Sequence, residues 1–267
     1  YTTLFRSLPD INARYEILKL HSLNKPISKD VDLYDLAEQT VYFSGAKLEN
    51  MMNEAAIYAA KRNNGIIENG DIEKAFYTVI AGAEKKDRSA ISQRDRAVTA
   101  YHEGGHALVT KLVAPENRVT KVTIIPSTKG VGGFSMNVSP DSMYFRKKDM
   151  ENNIKIALAG RAAEEIVFGN DNITTGAAND IEKATKVILN MIKTFGMDSR
   201  IGLLNYDVLH QNGISGAHDH IVDQCKRSLQ YMYEEVRKLL EENRRALDEI
   251  ASVLLQRETI YESELDA

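Results

Sequence analysis

Two histidines four residues apart constrain this 267-residue chain more than any other feature of its sequence. They open and close the run His102-Glu103-Gly104-Gly105-His106. The run lies inside a segment that begins with a helix-opening box, Ser92-Gln93-Arg94-Asp95, and that carries apolar residues at helical spacing. Because residues four apart share one face of a helix, we predict that both imidazoles point the same way and bind one metal ion.

Glu103, beside the first histidine, indicates the chemistry of that metal. A zinc ion held by two imidazoles lowers the pKa of a bound water to about 7 and polarises a carbonyl group. A neighbouring carboxylate then accepts the proton as a general base. Gly104 and Gly105 each cost a helix about 1 kcal/mol relative to alanine. Glycines in such positions often allow another backbone to approach closely.

The third protein ligand that a catalytic zinc needs is left open by the spacing. A third histidine six residues beyond the motif is excluded, because position 112 is leucine. Glu164, Glu165 and Asp180 remain as downstream carboxylates. An arbitrary acid is more often a surface charge or a helix N-terminal residue, so spacing alone does not choose among them.

The composition is that of an ordinary globular protein. Apolar residues make up 43% and charged residues 27% of the chain, and the net charge of -4 gives no indication of nucleic-acid binding. The single cysteine, Cys225, excludes an intrachain disulfide and favours a reducing compartment. No apolar run reaches the roughly 18–20 residues that span a bilayer, so we expect these residues to be soluble.

A charged, glycine-punctuated stretch at residues 82–89 divides the chain. We predict a helical unit at 8–82, a linker at 83–91 and a second unit at 92–267. In the first unit, helices over residues 10–22, 33–38, 44–62 and 71–80 would form a small bundle. Residues 1–7 match nothing around them and are expected to be foreign sequence.

The second unit is predicted to be rich in helix, with two strands. After the helix that begins at Ser92, strands are expected at 119–125 and 131–138, and long helices at 147–168, 177–195 and 217–257. The fold class is therefore mainly α with a small β-sheet. Residues 130–135 are glycine-rich but lack the lysine of a phosphate loop. They favour an edge strand that binds an extended substrate by main-chain hydrogen bonds, or else an ordinary hairpin.

From about Leu8 onward the sequence resembles the FtsH family of ATP-dependent membrane proteases. The resemblance rests on residues 100–107 around the histidines, on 121–126, on 157–165 and on 174–180. In that family the aspartate that closes the last block is the third zinc ligand. The resemblance therefore implies Asp180 as a ligand and Glu164 as a residue that orients one. Gly104 departs from the alanine usual in the family but leaves every ligand in place.

Residues 16–21 and 44–50 resemble the helical lid that follows the ATPase core of AAA+ proteins. The resemblance implies that His21, Gly45 and Ala46 line the adenine side of a nucleotide pocket, whereas packing and helix capping are the alternative reading. No Gly-x-x-x-x-Gly-Lys-Ser/Thr loop occurs. We therefore expect the chain to be the C-terminal part of a longer protein that uses ATP and Mg²⁺.

The family further implies a homo-hexameric ring, anchored by a preceding membrane segment, with these domains facing the cytoplasm of a bacterium or lying at an organelle inner membrane. The expected function is zinc-dependent endopeptidase cleavage of unfolded or membrane-extracted polypeptides. The alternative is a catalytically inactive assembly module with the same fold. The complete set of His102, Glu103, His106 and Asp180 argues against that alternative.

Overall fold

The computed structural model describes residues 8–130, 132–142, 144–213 and 218–265. These residues form two compact units. The first extends to Arg88 and also takes in residues 126–130 and 138–141; the second contains the remainder from Ser89 onward. Residues 1–7, Val131 and Ala217, for which the sequence carried expectations, lie outside the described part. The predicted boundaries at 82 and 92 stay a prediction.

The first unit contains the predicted helices, in the order α1 (Ile11–Ser22), α2 (Leu33–Gln39), α3 (Gly45–Lys61) and α4 (Asn69–Ala81). The side chains of Asp10 and Ser44 cap α1 and α3 by accepting hydrogen bonds from backbone N–H groups of the first turn. One face of α3 is apolar and buried, and its members are Leu48, Met51, Met52, Ala55 and Ala59.

Two short stretches from later in the chain complete the first unit. The backbone N–H of Lys85 donates to the carbonyl of Pro126, and that of Thr128 donates to the carbonyl of Ala83, both at 2.8 Å. Buried Arg14 donates to Asp141 at 3.1 Å. The first residues of the expected linker are therefore hydrogen-bonded within this unit.

The second unit is built on two long helices, α5 (Gln93–Val113) and α6 (Lys147–Phe168). They pack against each other, and α6 also contacts α7 (Ala178–Lys193) and α9 (His218–Glu242), while α5 also contacts α10 (Arg244–Arg257). Short helices α8 (Tyr206–Gln211) and α11 (Glu262–Leu265), with 3₁₀ turns at Asn170–Asn172 and Thr175–Ala177, were not predicted. Among the described residues no helix is both long and apolar enough to cross a bilayer.

A three-stranded sheet lies beside α5 in this unit. Strands β1 (Arg118–Thr123), β2 (Phe134–Val138) and β3 (Thr259–Tyr261) are arranged in the order β2-β1-β3, so β2 is an edge strand. β1 and β3 are antiparallel, with Val122 opposite Ile260, and both side chains are buried. The prediction of a mainly helical protein with a small β-sheet is confirmed, although β3 was missed.

The glycines inside α5 explain how closely it packs. A Cβ atom on Gly105 would lie 2.8 Å from both the carbonyl oxygen of Ala159 and the Cβ of Ala163, so α6 approaches the bare backbone of α5 at this point. A Cβ on Gly104 would meet side chains of α10 and no backbone: Cγ2 of Ile250 at 3.2 Å and Cδ1 of Leu247 at 3.6 Å. The close approach of α5 and α6 brings both helices to one buried site.

Candidate metal centre

The two histidines of α5 point into the space between α5, α6 and α7. The Nε2 atoms of His102 and His106 are 3.1 Å apart, and both residues are buried. Asp180, in the first turn of α7, places its Oδ2 atom 3.3 Å from the Nε2 of His102 and 3.4 Å from that of His106. The structure therefore brings together His102, His106 and Asp180, with one candidate ligand atom from each.

The other nitrogen of each imidazole fixes the orientation of its ring. The Nδ1 of His106 lies 2.7 Å from the carbonyl oxygen of Ile156, which only accepts hydrogen bonds, so Nδ1 carries the proton. The Nδ1 of His102 lies 2.7 Å from a carboxylate oxygen of Glu164 and donates in the same way. In the neutral imidazoles both Nε2 atoms are then lone-pair donors that face each other and a carboxylate.

This donor set fits zinc. Two neutral imidazole nitrogens and a carboxylate oxygen are common zinc ligands, and three of them with an open position form a catalytic site. Ligands at the usual 2.0–2.1 Å from a tetrahedral ion are about 3.3–3.4 Å apart, close to the separations of 3.1, 3.3 and 3.4 Å seen here. Without a cation, three electron-pair donors at these distances repel unless they share protons.

Gly160 of α6 leaves the space for that ion. A Cβ atom at this residue would lie 2.5 Å from the Nε2 of His102 and 2.6 Å from the Nε2 of His106. A side chain of any size would therefore fill the position between the two imidazoles. Gly160 lies in the block 157–165, on which the family resemblance partly rests, but the sequence predicts no role for it, because nothing in its local spacing shows that it faces α5.

The electrostatics of the site favour positive charge. Burial alone would lower the pKa of His102, but hydrogen bonds to Asp180 and Glu164 outweigh it and raise that pKa to about 10. Burial alone would raise the pKa of Asp180, yet hydrogen bonds from His102 and His106 hold it well below its usual value. The carboxylates that stabilise a protonated imidazole here would also stabilise a bound cation.

Glu103 is buried beside the three candidate ligands. Burial, with a contribution from the charge of Asp180, raises the pKa of its carboxyl group, while the charge of His102 opposes the rise. The backbone of Gly133, just before β2, packs against it: a Cβ there would lie 3.2 Å from the Cγ of Glu103 and 2.6 Å from the carbonyl oxygen of Thr123. The edge strand therefore begins next to Glu103.

Glu164 contacts two parts of the site at once. One carboxylate oxygen accepts from the imidazole of His102, and the other accepts from the backbone N–H of Thr174 at 2.7 Å. Burial would raise its pKa, but these hydrogen bonds hold the pKa below its usual value. Thr174 lies in the turn that leads into α7, so Glu164 links the orientation of His102 to the position of Asp180.

The other downstream carboxylate, Glu165, points elsewhere. It accepts a hydrogen bond from the hydroxyl of Tyr233 and pairs with Arg237 at 3.4 Å, which ties α6 to α9. The contacts with the Ile156 carbonyl, the Thr174 N–H and the backbone of Gly160 were not foreseen, because backbone groups carry no sequence signal of this kind.

The three residues expected to bind nucleotide lie in the first unit. His21 is half-buried in the last turn of α1, and Gly45 and Ala46 form the start of α3. A Cβ on Gly45 would lie 3.8 Å from the Cδ1 of Ile17, one helical turn before His21, so the two helix ends are close. Their nucleotide role stays a prediction.

Comparison with known proteins shows which proteins this chain is similar to. A model of peptidase family M41 matches residues 89–267, and a model of the AAA+ lid domain matches residues 30–74. The chain is 56% identical to ATP-dependent zinc metalloprotease FtsH 1 of Alkaliphilus metalliredigens, over 97% of this chain and 44% of that protein. It is 47% identical to the FtsH metalloprotease of Lachnoclostridium phytofermentans, over 97% of this chain and 44% of that protein.

A more distant relative, the FtsH metalloprotease of Thermus thermophilus, is 40% identical over 96% of this chain and 42% of that protein. The chain thus spans less than half the length of these relatives. The family model covers more than half of the chain and includes every residue of the candidate centre. The predicted resemblance is confirmed: the chain belongs to peptidase family M41, the zinc metalloproteases of the FtsH type, and carries an AAA+ lid domain before its peptidase domain.

Proposed function

We propose that this chain is the zinc-dependent endopeptidase part of an ATP-dependent protease and that it cleaves unfolded or membrane-extracted polypeptides. The observation that carries the proposal is the convergence of His102, His106 and Asp180 on one point, with Glu103 beside them. Relatives of this chain are named ATP-dependent zinc metalloproteases, and the donor set fits zinc. We propose His102, His106 and Asp180 as the ligands of one zinc ion.

Each of the residues around the zinc ion would then have its own role in the reaction. Zinc supplies Lewis acidity, which polarises the peptide carbonyl and acidifies a water molecule. Glu103 accepts a proton from that water as the water oxygen bonds to the carbonyl carbon. The carbon–nitrogen bond breaks, and Glu103 returns the proton to the leaving amine, so the products are a carboxylic acid and an amine, which exchange one proton in water to give a carboxylate and an ammonium group. Glu164 and the Ile156 carbonyl keep the imidazoles oriented by accepting from their Nδ1 atoms.

The substrate would lie along β2. This strand is at the edge of the sheet and begins beside Glu103, as the position of Gly133 shows. An edge strand offers main-chain donors and acceptors to an extended peptide, and such pairing places little demand on sequence. It requires an extended chain, which accounts for a preference for unfolded polypeptides.

The remaining proposals concern the longer protein. The AAA+ lid domain supports a role in an ATP-driven machine, with His21, Gly45 and Ala46 near the adenine of the nucleotide. We further propose that the complete protein forms a homo-hexameric ring and is attached to a membrane through a segment outside this chain. In such a ring, nucleotide turnover would deliver unfolded substrate to the zinc site.

The test is digestion of a chemically unfolded protein by the 267-residue chain, with and without a zinc chelator. We expect cleavage that the chelator abolishes and that added zinc restores. The variant Glu103→Gln should bind zinc and fold normally, yet lose about 10²–10⁴-fold in kcat, because an amide cannot accept the proton. Glu249→Gln, at an exposed site of α10, is the matched control and should cleave like the parent.

Two results would count against the proposal. Cleavage that is insensitive to the chelator would remove zinc from the reaction. Activity of Glu103→Gln within a few-fold of the parent would show that another group takes the proton.

A further inference from the structure

The edge strand β2 presents an unusual face to the metal-binding helix. Alternate residues of a strand share a face, and those on the α5 side are Gly133, Ser135 and Asn137. Gly133 packs against Glu103, and the side chain of Asn137 donates a hydrogen bond to the hydroxyl of Thr110 at 3.0 Å. The strand therefore runs along α5 from the proposed general base to a point two helical turns further on.

The hydrogen bond of Asn137 continues to the metal-binding residues. The Thr110 hydroxyl has a single proton, which it donates to the carbonyl oxygen of His106 at 2.7 Å. Its lone pair must therefore accept from the amide NH₂ of Asn137, which settles how that amide is oriented. Thr110 is fully buried, so this chain of two hydrogen bonds from β2 to the helix turn of His106 is shielded from water.

Packing alone does not explain why residue 137 has an amide side chain. Its carbonyl oxygen is buried and has no hydrogen-bond partner among the described residues, and the same holds for the Ser135 hydroxyl. A buried acceptor without a partner is destabilising, whereas a leucine of similar size would leave nothing unpaired but the Thr110 lone pair. The directional link to Thr110 is what the amide provides and an apolar residue would not.

We propose that Asn137 is a positioning residue that sets where β2, and hence a substrate strand paired with it, lies along α5. The inference rests on the proposed function, since it assumes that substrate pairs with β2. Without the link to Thr110, β2 would occupy the position that pairs with substrate for only a fraction of the time, so KM and Kd would rise by the inverse of that fraction while bound substrate reacts at the rate of the parent. Gly133 at one end and Asn137 at the other fix the strand at two points.

The test compares Asn137→Leu with the parent in steady-state cleavage of an unstructured fluorogenic peptide. We expect KM to rise about three- to tenfold, the change in the population of the competent β2 position that the loss of one hydrogen bond can produce, with kcat within about twofold of the parent. Zinc content should be unchanged and the melting temperature not lowered. In a Glu103→Gln background, which binds without turnover, the peptide Kd measured by fluorescence anisotropy should rise by the same factor.

The matched control is Asn152→Ala. Asn152 is a buried residue whose amide also donates to α5, at 2.7 Å to the carbonyl of Val113, but it lies on α6. This variant should lose stability and keep the KM of the parent. If Asn137→Leu does not fold, Thr110→Val removes the same link from the other side and replaces it in every comparison.

Equal KM values for Asn137→Leu and the parent would overturn the inference, and so would an equal rise in Asn152→Ala. A double variant Asn137→Leu/Thr110→Val should show no larger KM than either single variant, because both remove one interaction; additive effects would also refute it. Absence of chelator-sensitive cleavage by the parent chain would instead refute the proposed function.

Discussion

Gly160→Ala isolates the space for the metal ion from the rest of the fold. The added methyl carbon would lie 2.5 Å from the Nε2 of His102 and 2.6 Å from that of His106. Non-bonded heavy atoms normally stay about 3.5 Å apart or more, so the overlap is about 1 Å at each nitrogen. A zinc ion must come within about 2.1 Å of the same two nitrogens, so methyl group and ion compete for one position.

Gly160→Ala should change the affinity for zinc much more than it changes the stability of the metal-free protein. Zinc affinity should fall by at least about 100-fold, the upper range for changes that only misorient a ligand. The metal-free protein should lose no more than about 2 kcal/mol of stability, because the gain of about 1 kcal/mol from replacing a helical glycine opposes a packing cost of about 1–3 kcal/mol. In the parent, zinc at 100 times its Kd adds about 2.7 kcal/mol to the free energy of unfolding.

The assay measures zinc stoichiometry and the melting temperature with and without a chelator. The parent should lose about 5–10 °C on chelation, while Gly160→Ala should not respond. Gly70→Ala is the matched control, since Gly70 lies in helix α4 and a Cβ there meets no atom within 4 Å. Zinc binding by Gly160→Ala with the affinity of the parent would show that the ion does not occupy the space between the imidazoles.

Two further predictions follow from the same contacts. Asp180→Ala should lose zinc by metal analysis and Glu165→Ala should keep it, because only the first carboxylate faces the imidazoles; the opposite result would move the third ligand to Glu165. Gly105→Ala should lower the free energy of unfolding in urea by up to about 2 kcal/mol, because the packing cost of about 1–3 kcal/mol from a methyl 2.8 Å from the α6 backbone outweighs the gain of about 1 kcal/mol from replacing a helical glycine. Gly104→Ala, whose methyl would meet only the side chains of Ile250 and Leu247, should stay within about 1 kcal/mol of the parent, and equal losses in both variants would contradict the argument.

The long helices were predictable because their signals are local. Asp10, Ser44 and Ser92 each cap a helix from the position that their sequence context indicates, and amphipathic periodicity fixes the intervening turns. Strand β3 is different, since it has three residues and pairs with β1 more than 130 positions earlier in the chain. Glu258, with φ of 64°, ends α10 in a left-handed conformation immediately before it, and glutamate carries no signal for that conformation.

In the candidate site, too, local signals predict some residues and not others. The i, i+4 spacing was enough to predict that His102 and His106 share a face, because the helix itself sets that geometry. Asp180 was chosen only through resemblance, since its place depends on a turn between two helices. The structure supplies the missing physical reason: Glu164 accepts from His102 with one oxygen and from the Thr174 N–H with the other. A single carboxylate thus orients one candidate ligand and anchors the turn that delivers the other, and such a coupling exists only after α5, α6 and α7 have packed together.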